Sequence, residues 1–138
     1  MTTSGFVCFL GSSPVSWYTK LQNSVATSTT EAEYYSLCEC SKQTLWYIDM
    51  FKELNIDIKP AKIYVDNKST IYNAENETIN PRSKHINIKY HMVRDLIKKG
   101  TIKLEYINTN ENIADGFTKY LNSNKMTKFR NDLLYKFK

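Results

Sequence analysis

Carboxylates stand at three turning points of this chain. Glu31 and Glu33 fall in Ser28-Thr29-Thr30-Glu31-Ala32-Glu33-Tyr34, where a polar stretch gives way to a long helical pattern. Asp66 follows the run Ala61-Lys62-Ile63-Tyr64-Val65, and Asp115 sits in the short segment from Ile113 to Leu121. Ser28 and Glu31 have capping-box spacing, in which hydroxyl and carboxylate each accept from an orphan backbone N–H at the helix start. Glu33 is left without that duty. The carboxyl end of a strand in an α/β sheet is where ligands collect, which singles out Asp66. Carboxylates gathered there can bind Mg²⁺, whose hard oxygen chemistry suits phosphates. Two such ions about 4 Å apart can activate a water and steady a leaving oxygen in phosphodiester cleavage. A single surface acid usually does no more than keep a protein soluble, so the surrounding elements must decide.

Those elements can be read in order. Gly5-Phe6-Val7-Cys8-Phe9-Leu10 is a strand ending at the turn Gly11-Ser12-Ser13-Pro14, and Val15 to Thr19 alternates as its hairpin partner. A long helix is expected from about Thr30 to Leu54, with the polar run Ser41-Lys42-Gln43-Thr44 interrupting its apolar period. Ala61–Val65 is a short strand, and Asn67 or Ser69 can cap a short helix through Ala74. His85 to Lys99 is amphipathic, with Ile88, Met92, Val93 and Leu96 as its stripe, and Lys98-Lys99-Gly100 ends it. Ile102–Ile107 alternates as a strand, Ile113–Leu121 forms a short helix, and the tail from Lys125 to Lys138 has helical spacing. Trp17 and Trp46 are expected in the core. This order predicts an α/β fold with helices on a mixed sheet.

The words around the acids carry more information. Ser16-Trp17, Lys20-Leu21-Gln22, Val25-Ala26 and the Ser28–Tyr34 stretch resemble the ribonuclease H domain at the end of copia-type retrotransposon Pol polyproteins. The resemblance continues through Val65-Asp66-Asn67, Lys84-His85-Ile86, Tyr90-His91, Ile113-Ala114-Asp115 and Thr118-Lys119. It covers residues 3–121, leaving 122–138 as a basic amphipathic C-terminal helix. It implies the ribonuclease H-like fold and, for the family, Mg²⁺-dependent cleavage of RNA in RNA–DNA hybrids within a larger reverse transcriptase polyprotein. The family's helix acid falls on Glu33, the acid after the strand on Asp66 and the last acid on Asp115. These three are the implied catalytic and metal-binding residues.

Three departures limit what the resemblance implies. The family's first, metal-bridging Asp lies on a strand before the Thr-Ser-Gly word, and here Met1-Thr2-Thr3-Ser4-Gly5 opens the chain with no acid before Glu31. That strand would be the central one, between the first strand here and Ile63–Val65. Its loss implies impaired catalysis in a truncated or decayed domain, and a non-catalytic nucleic-acid-binding or relict module is the alternative. A nuclease completed by a strand from another chain is a third possibility. In addition, Asn87 stands where the family has Asp, and Asn108-Thr109-Asn110 lacks the His that many ribonucleases H carry in that loop.

Bulk properties agree with an intracellular globular domain of 138 residues and formal net charge +5. No apolar run approaches the roughly 20 residues of a membrane span. The charge is uneven: from Arg82 onward there are 13 basic and 5 acidic residues, against 6 and 9 before it. Such a basic half suits a polyanion partner, an RNA–DNA hybrid or another nucleic acid, with Lys84, His85, Lys89 and Arg94 as candidate contacts. Lys98 and Lys99 share that helix. His85 and His91, six apart, lie off a common helix face and do not form a metal pair. Cys8, Cys38 and Cys40 lack metal-ligand spacing, and Cys38 and Cys40 point to different helix faces.

Overall fold

The computed structural model describes residues 2–22, 29–76 and 84–134, and the side chains of residue 29 and residues 84–87 fall outside that description. The elements are β1 (Thr3–Leu10), β2 (Ser13–Leu21), α1 (Thr29–Glu53), β3 (Ala61–Val65), α2 (Lys68–Glu75), α3 (Lys84–Lys98), β4 (Ile102–Tyr106) and α4 (Ser123–Leu134). Two 3₁₀ turns, Thr109–Glu111 and Ile113–Phe117, link β4 to α4. The architecture is α/β, as expected, but the described strands form two sheets. β1 pairs antiparallel with β2, and β3 pairs parallel with β4 from Ala61 opposite Ile102 to Val65 opposite Tyr106. A parallel pair needs a crossover, and α2 and α3 supply it.

The helix ends follow local chemistry. α1 stops where Asn55 turns to φ 59°, with Ile56 N–H bonding Phe51 O at 2.9 Å and Asn55 N–H bonding Lys52 O at 3.0 Å. α3 stops at Gly100, φ 69°, with Thr101 N–H on Leu96 O and Gly100 N–H on Ile97 O, each at 3.0 Å. Both are Schellman closures, which need a left-handed residue after the helix and so favour Asn or Gly there. Asn67 begins α2 by accepting from Thr70 N–H at 3.1 Å. Ser28 lies outside the described residues, so the capping box is not observed, although Glu31 is buried.

The core lies between α1, α3 and the β3–β4 pair. Tyr34, Leu37 and Cys38 of α1 meet Ile63 and Val65, Val93 and Leu96, Ile102 and Leu104, and Ala74 of α2. The polar interruption in α1 is absorbed into this face. Ser41, fully buried, donates to Leu37 O at 2.7 Å, and Thr44 donates to Cys40 O at 2.8 Å. Bonding back to the i−4 carbonyl lets both hydroxyls be buried without an unmet hydrogen bond.

Three core expectations are corrected. Trp17 and Trp46 are 63% and 57% exposed. The β1–β2 register sets Phe6 against Tyr18 and Cys8 against Ser16 on the inner face, which turns Trp17 outward. Trp46 follows Leu45, which packs on the core, and so points about 100° away from it. Ile88 is 78% exposed because it lies about 140° around α3 from the fully buried Val93. The segment expected as a helix to Leu121 is a 3₁₀ turn that ends at Phe117. α4 packs back on that turn through Phe129, edge-on to Phe117 at 5.2 Å. Among the described residues, no helix is long and apolar enough to cross a membrane.

Candidate functional site

Three separate elements bring the three sequence-identified acids into one electrostatic neighbourhood. Glu33 lies in the early turns of α1, Asp66 directly follows β3, and Asp115 sits in the 3₁₀ turn Ile113–Phe117. Asn112 fixes that turn by accepting from Ala114 N–H at 3.2 Å. Glu33 presents much of its side chain to water, yet the surrounding protein crowds its carboxyl. Desolvation, followed by the charges of Asp66 and Asp115, raises its pKa to about 7, with Lys119 pulling the other way.

Lys119 is the member of this cluster for which the sequence suggested no role. It lies one helical turn from Asp115 in sequence, and its Nζ is 2.9 Å from Asp115 Oδ2. The hydrogen bond to Asp115 comes first in raising its own pKa, against some burial, with Asp66 and Glu33 also contributing. One ammonium therefore faces three carboxylates.

The donor oxygens are of the kind that Mg²⁺ takes, but their placement does not make a metal site. Among the described residues no three acids, histidines or cysteines form a group that could hold an ion. One oxygen of Asp115 is already held by Lys119.

Beside the acids a groove of about 790 Å³ runs between the two sheets. It is walled by β1 on one side, β3 on the other and α1 along its floor, and both Glu33 and Asp66 line it. Among the described residues no strand pairs with the groove-side edge of β1 or of β3. Gly5 N–H instead donates to Ser36 Oγ of α1 at 3.1 Å.

The basic candidates sit on α3. Lys84 and His85 belong to its first turn, and their side chains are outside the described residues. Lys89 Nζ lies over the Tyr35 ring, 3.8 Å from its centre. Arg94 donates from Nε and Nη2 to Asn73 O at 3.2 and 2.8 Å, and its guanidinium lies 5.3 Å from the Tyr90 ring centre. It therefore ties α2 to α3. Lys99 pairs with Asp95 at 2.8 Å, and His91 is exposed.

Glu33 makes stability depend on pH in a definite direction. Its carboxyl holds a proton to about pH 7 when folded, against an ordinary value of 4.5. The folded state thus binds more protons across that window, so this stabilisation is complete below the lower value and is lost as pH rises through the upper one. Because water reaches Glu33, screening reduces the loss to about 1 kcal/mol. Glu33→Gln is expected to exceed the parent in urea stability by about that amount near pH 8 and to match it near pH 4. Equal midpoints at both pH values would contradict the clustering of the acids.

Comparison with known proteins agrees with the residue pattern. The chain is 35% identical over 130 residues to the retrovirus-related Pol polyprotein from transposon RE1 of Arabidopsis thaliana, covering 94% of this chain and 9% of that protein. It is 35% identical over 122 residues to the corresponding polyprotein from transposon RE2 of the same plant, covering 88% of this chain and 8% of the relative. Against the Pol polyprotein from transposon TNT 1-94 of Nicotiana tabacum it is 36% identical over 124 residues, 90% of this chain and 9% of the relative. The chain thus spans about a tenth of the length of the curated relatives it matches. No protein-family model matches it, and no solved structure matches it significantly. Matched along nearly its whole length to one segment of three such polyproteins, the chain is a copia-type, retrotransposon Pol-derived sequence.

Proposed function

We propose that this chain is a ribonuclease H-like module of a retrotransposon Pol polyprotein, built to engage RNA–DNA hybrids, with Glu33, Asp66 and Asp115 as an incomplete catalytic, Mg²⁺-directed acid cluster. The observation that carries this reading is the convergence of three acids from three elements beside the groove between β1 and β3. A sheet-completing strand set in that groove would have free edges on both sides to pair with, and an acid on it would join the cluster. Without such a ligand, the Lys119 ammonium balances the acids and metal-dependent hydrolysis is impaired. The alternative is a module that binds nucleic acid without cutting it, and the basic character of the second half favours contact with phosphate in either case.

The test incubates the purified chain with a labelled RNA–DNA hybrid and Mg²⁺, beside a Glu33→Gln, Asp66→Asn double variant. The expected result is a mobility shift that weakens steeply with salt for both proteins, with no cleavage by the parent above that of the variant. Cleavage by the parent alone would mean that the cluster is catalytically complete. Absence of any shift at low salt would sink the nucleic-acid reading.

A further inference from the structure

Cys8 and Cys40 belong to different elements, β1 and α1, and both line the groove between the sheets. Their neighbours set the approach. The Gly5 N–H bond to Ser36 Oγ ties β1 to α1 one turn before Cys40. Residues four apart share a helix face, so Cys40 continues the line from Ser36. Along β1, Cys8 lies three residues beyond Gly5, next to the irregularity in register between Cys8 and Phe9. Both thiols face this groove from adjoining walls, and each is the leading influence on the other's acidity, which puts them within reach of one another.

We infer that Cys8 and Cys40 form a dithiol–disulfide pair, a modification site at which a small-molecule disulfide such as oxidised glutathione covalently joins β1 to α1 inside the groove. The hydrogen bond from Cys40 lowers the Cys8 pKa, with a smaller contribution from Ser16, against the effect of burial. The same contact, together with burial, raises Cys40. Cys8 is therefore the attacking thiolate, and Cys40 resolves the adduct.

Cys8 sulfur attacks one sulfur of the oxidant, whose S–S bond breaks and releases a thiolate. Cys40 then gives its proton to that thiolate and attacks the Cys8 sulfur, expelling the second small thiolate, which takes up the proton that Cys8 had lost to water. The protein surrenders two electrons and two protons, and the oxidant becomes two thiols. Cys38 takes no part. It is fully buried, desolvation raises its pKa to about 12, and its Sγ donates to Lys89 O at 3.6 Å.

The full chain is titrated with oxidised glutathione and followed by intact mass, peptide mapping and thermal unfolding. The expected product has lost two hydrogens, carries a Cys8–Cys40 linkage with Cys38 free, and melts roughly 10 °C higher until dithiothreitol reverses it. Cys40→Ser is expected to stop at a glutathione adduct on Cys8, Cys8→Ser to form neither adduct nor linkage, and Cys38→Ser to behave as the parent. A persistent Cys8 adduct in the parent, a linkage through Cys38, or no reaction at all would each overturn the assignment.

Discussion

Tyr34→Ala is expected to destabilise the protein by about 4 kcal/mol, the largest effect of any single substitution considered for this chain. Tyr34 is 1% exposed and sits at the centre of the cluster formed by α1, α3, β3 and β4. Its ring lies 3.6 Å, centre to centre, from that of Tyr90, and its hydroxyl donates to Tyr90 O at 3.4 Å. Burial accordingly pushes its pKa up. Truncation removes the apolar contacts and leaves a cavity that flanking elements can fill only in part. Tyr34→Phe loses one long hydrogen bond and is expected to cost about 1 kcal/mol or less. Urea midpoints for the two variants separate packing from hydrogen bonding. With domain stabilities of about 5–15 kcal/mol, the alanine variant approaches the unfolding threshold. A loss under about 1 kcal/mol for Tyr34→Ala would show that α1 does not pack as described.

The second large effect belongs to Gly116→Ala. A Cβ at this position would run into the ring of Phe129 on α4. The glycine is thus required by close approach: α4 lies against the backbone of the turn that carries Asp115. The methyl group forces the Phe129 ring to shift, and α4 or the turn with it where the ring has no other place to pack, at a cost of about 1–3 kcal/mol by overpacking. Moving the turn would also disturb the pairing of Asp115 with Lys119. Phe129→Ala should relieve the clash, so the double variant is expected to be more stable than the sum of the single effects predicts. Strict additivity in urea unfolding would mean that α4 does not dock on this turn. The expected coupling also means that α4 bears on the geometry of the last acid, although it lies outside the stretch that carries the ribonuclease H resemblance.

Local chemistry made much of the fold legible. The hairpin, the long helix, the strand at Ala61–Val65, the capping by Asn67 and the stop at Gly100 each depend on neighbours within a few residues. Such features follow from periodicity, caps and turn residues, which are written in sequence order. The errors occurred where distant partners decided. Tyr34 and Tyr35 are adjacent residues of one type, yet packing buries Tyr34 and leaves Tyr35 to meet Lys89. Trp17 and Trp46 are large and apolar, but strand register and helix phase turn both outward.

The acids divide along the same line. By itself the sequence determined which carboxylates stand at element boundaries, because capping and strand-end positions are local properties, and it supplied the words shared with Pol polyproteins. Only the tertiary structure decided that Glu33 feels the charges of Asp66 and Asp115, that Lys119 balances them, and that a groove separates β1 from β3 beside them. Charge interaction falls with distance through space. Residues separated by dozens of positions therefore acquire their shared chemistry only after β1, β3 and the turn at Asp115 have packed against α1.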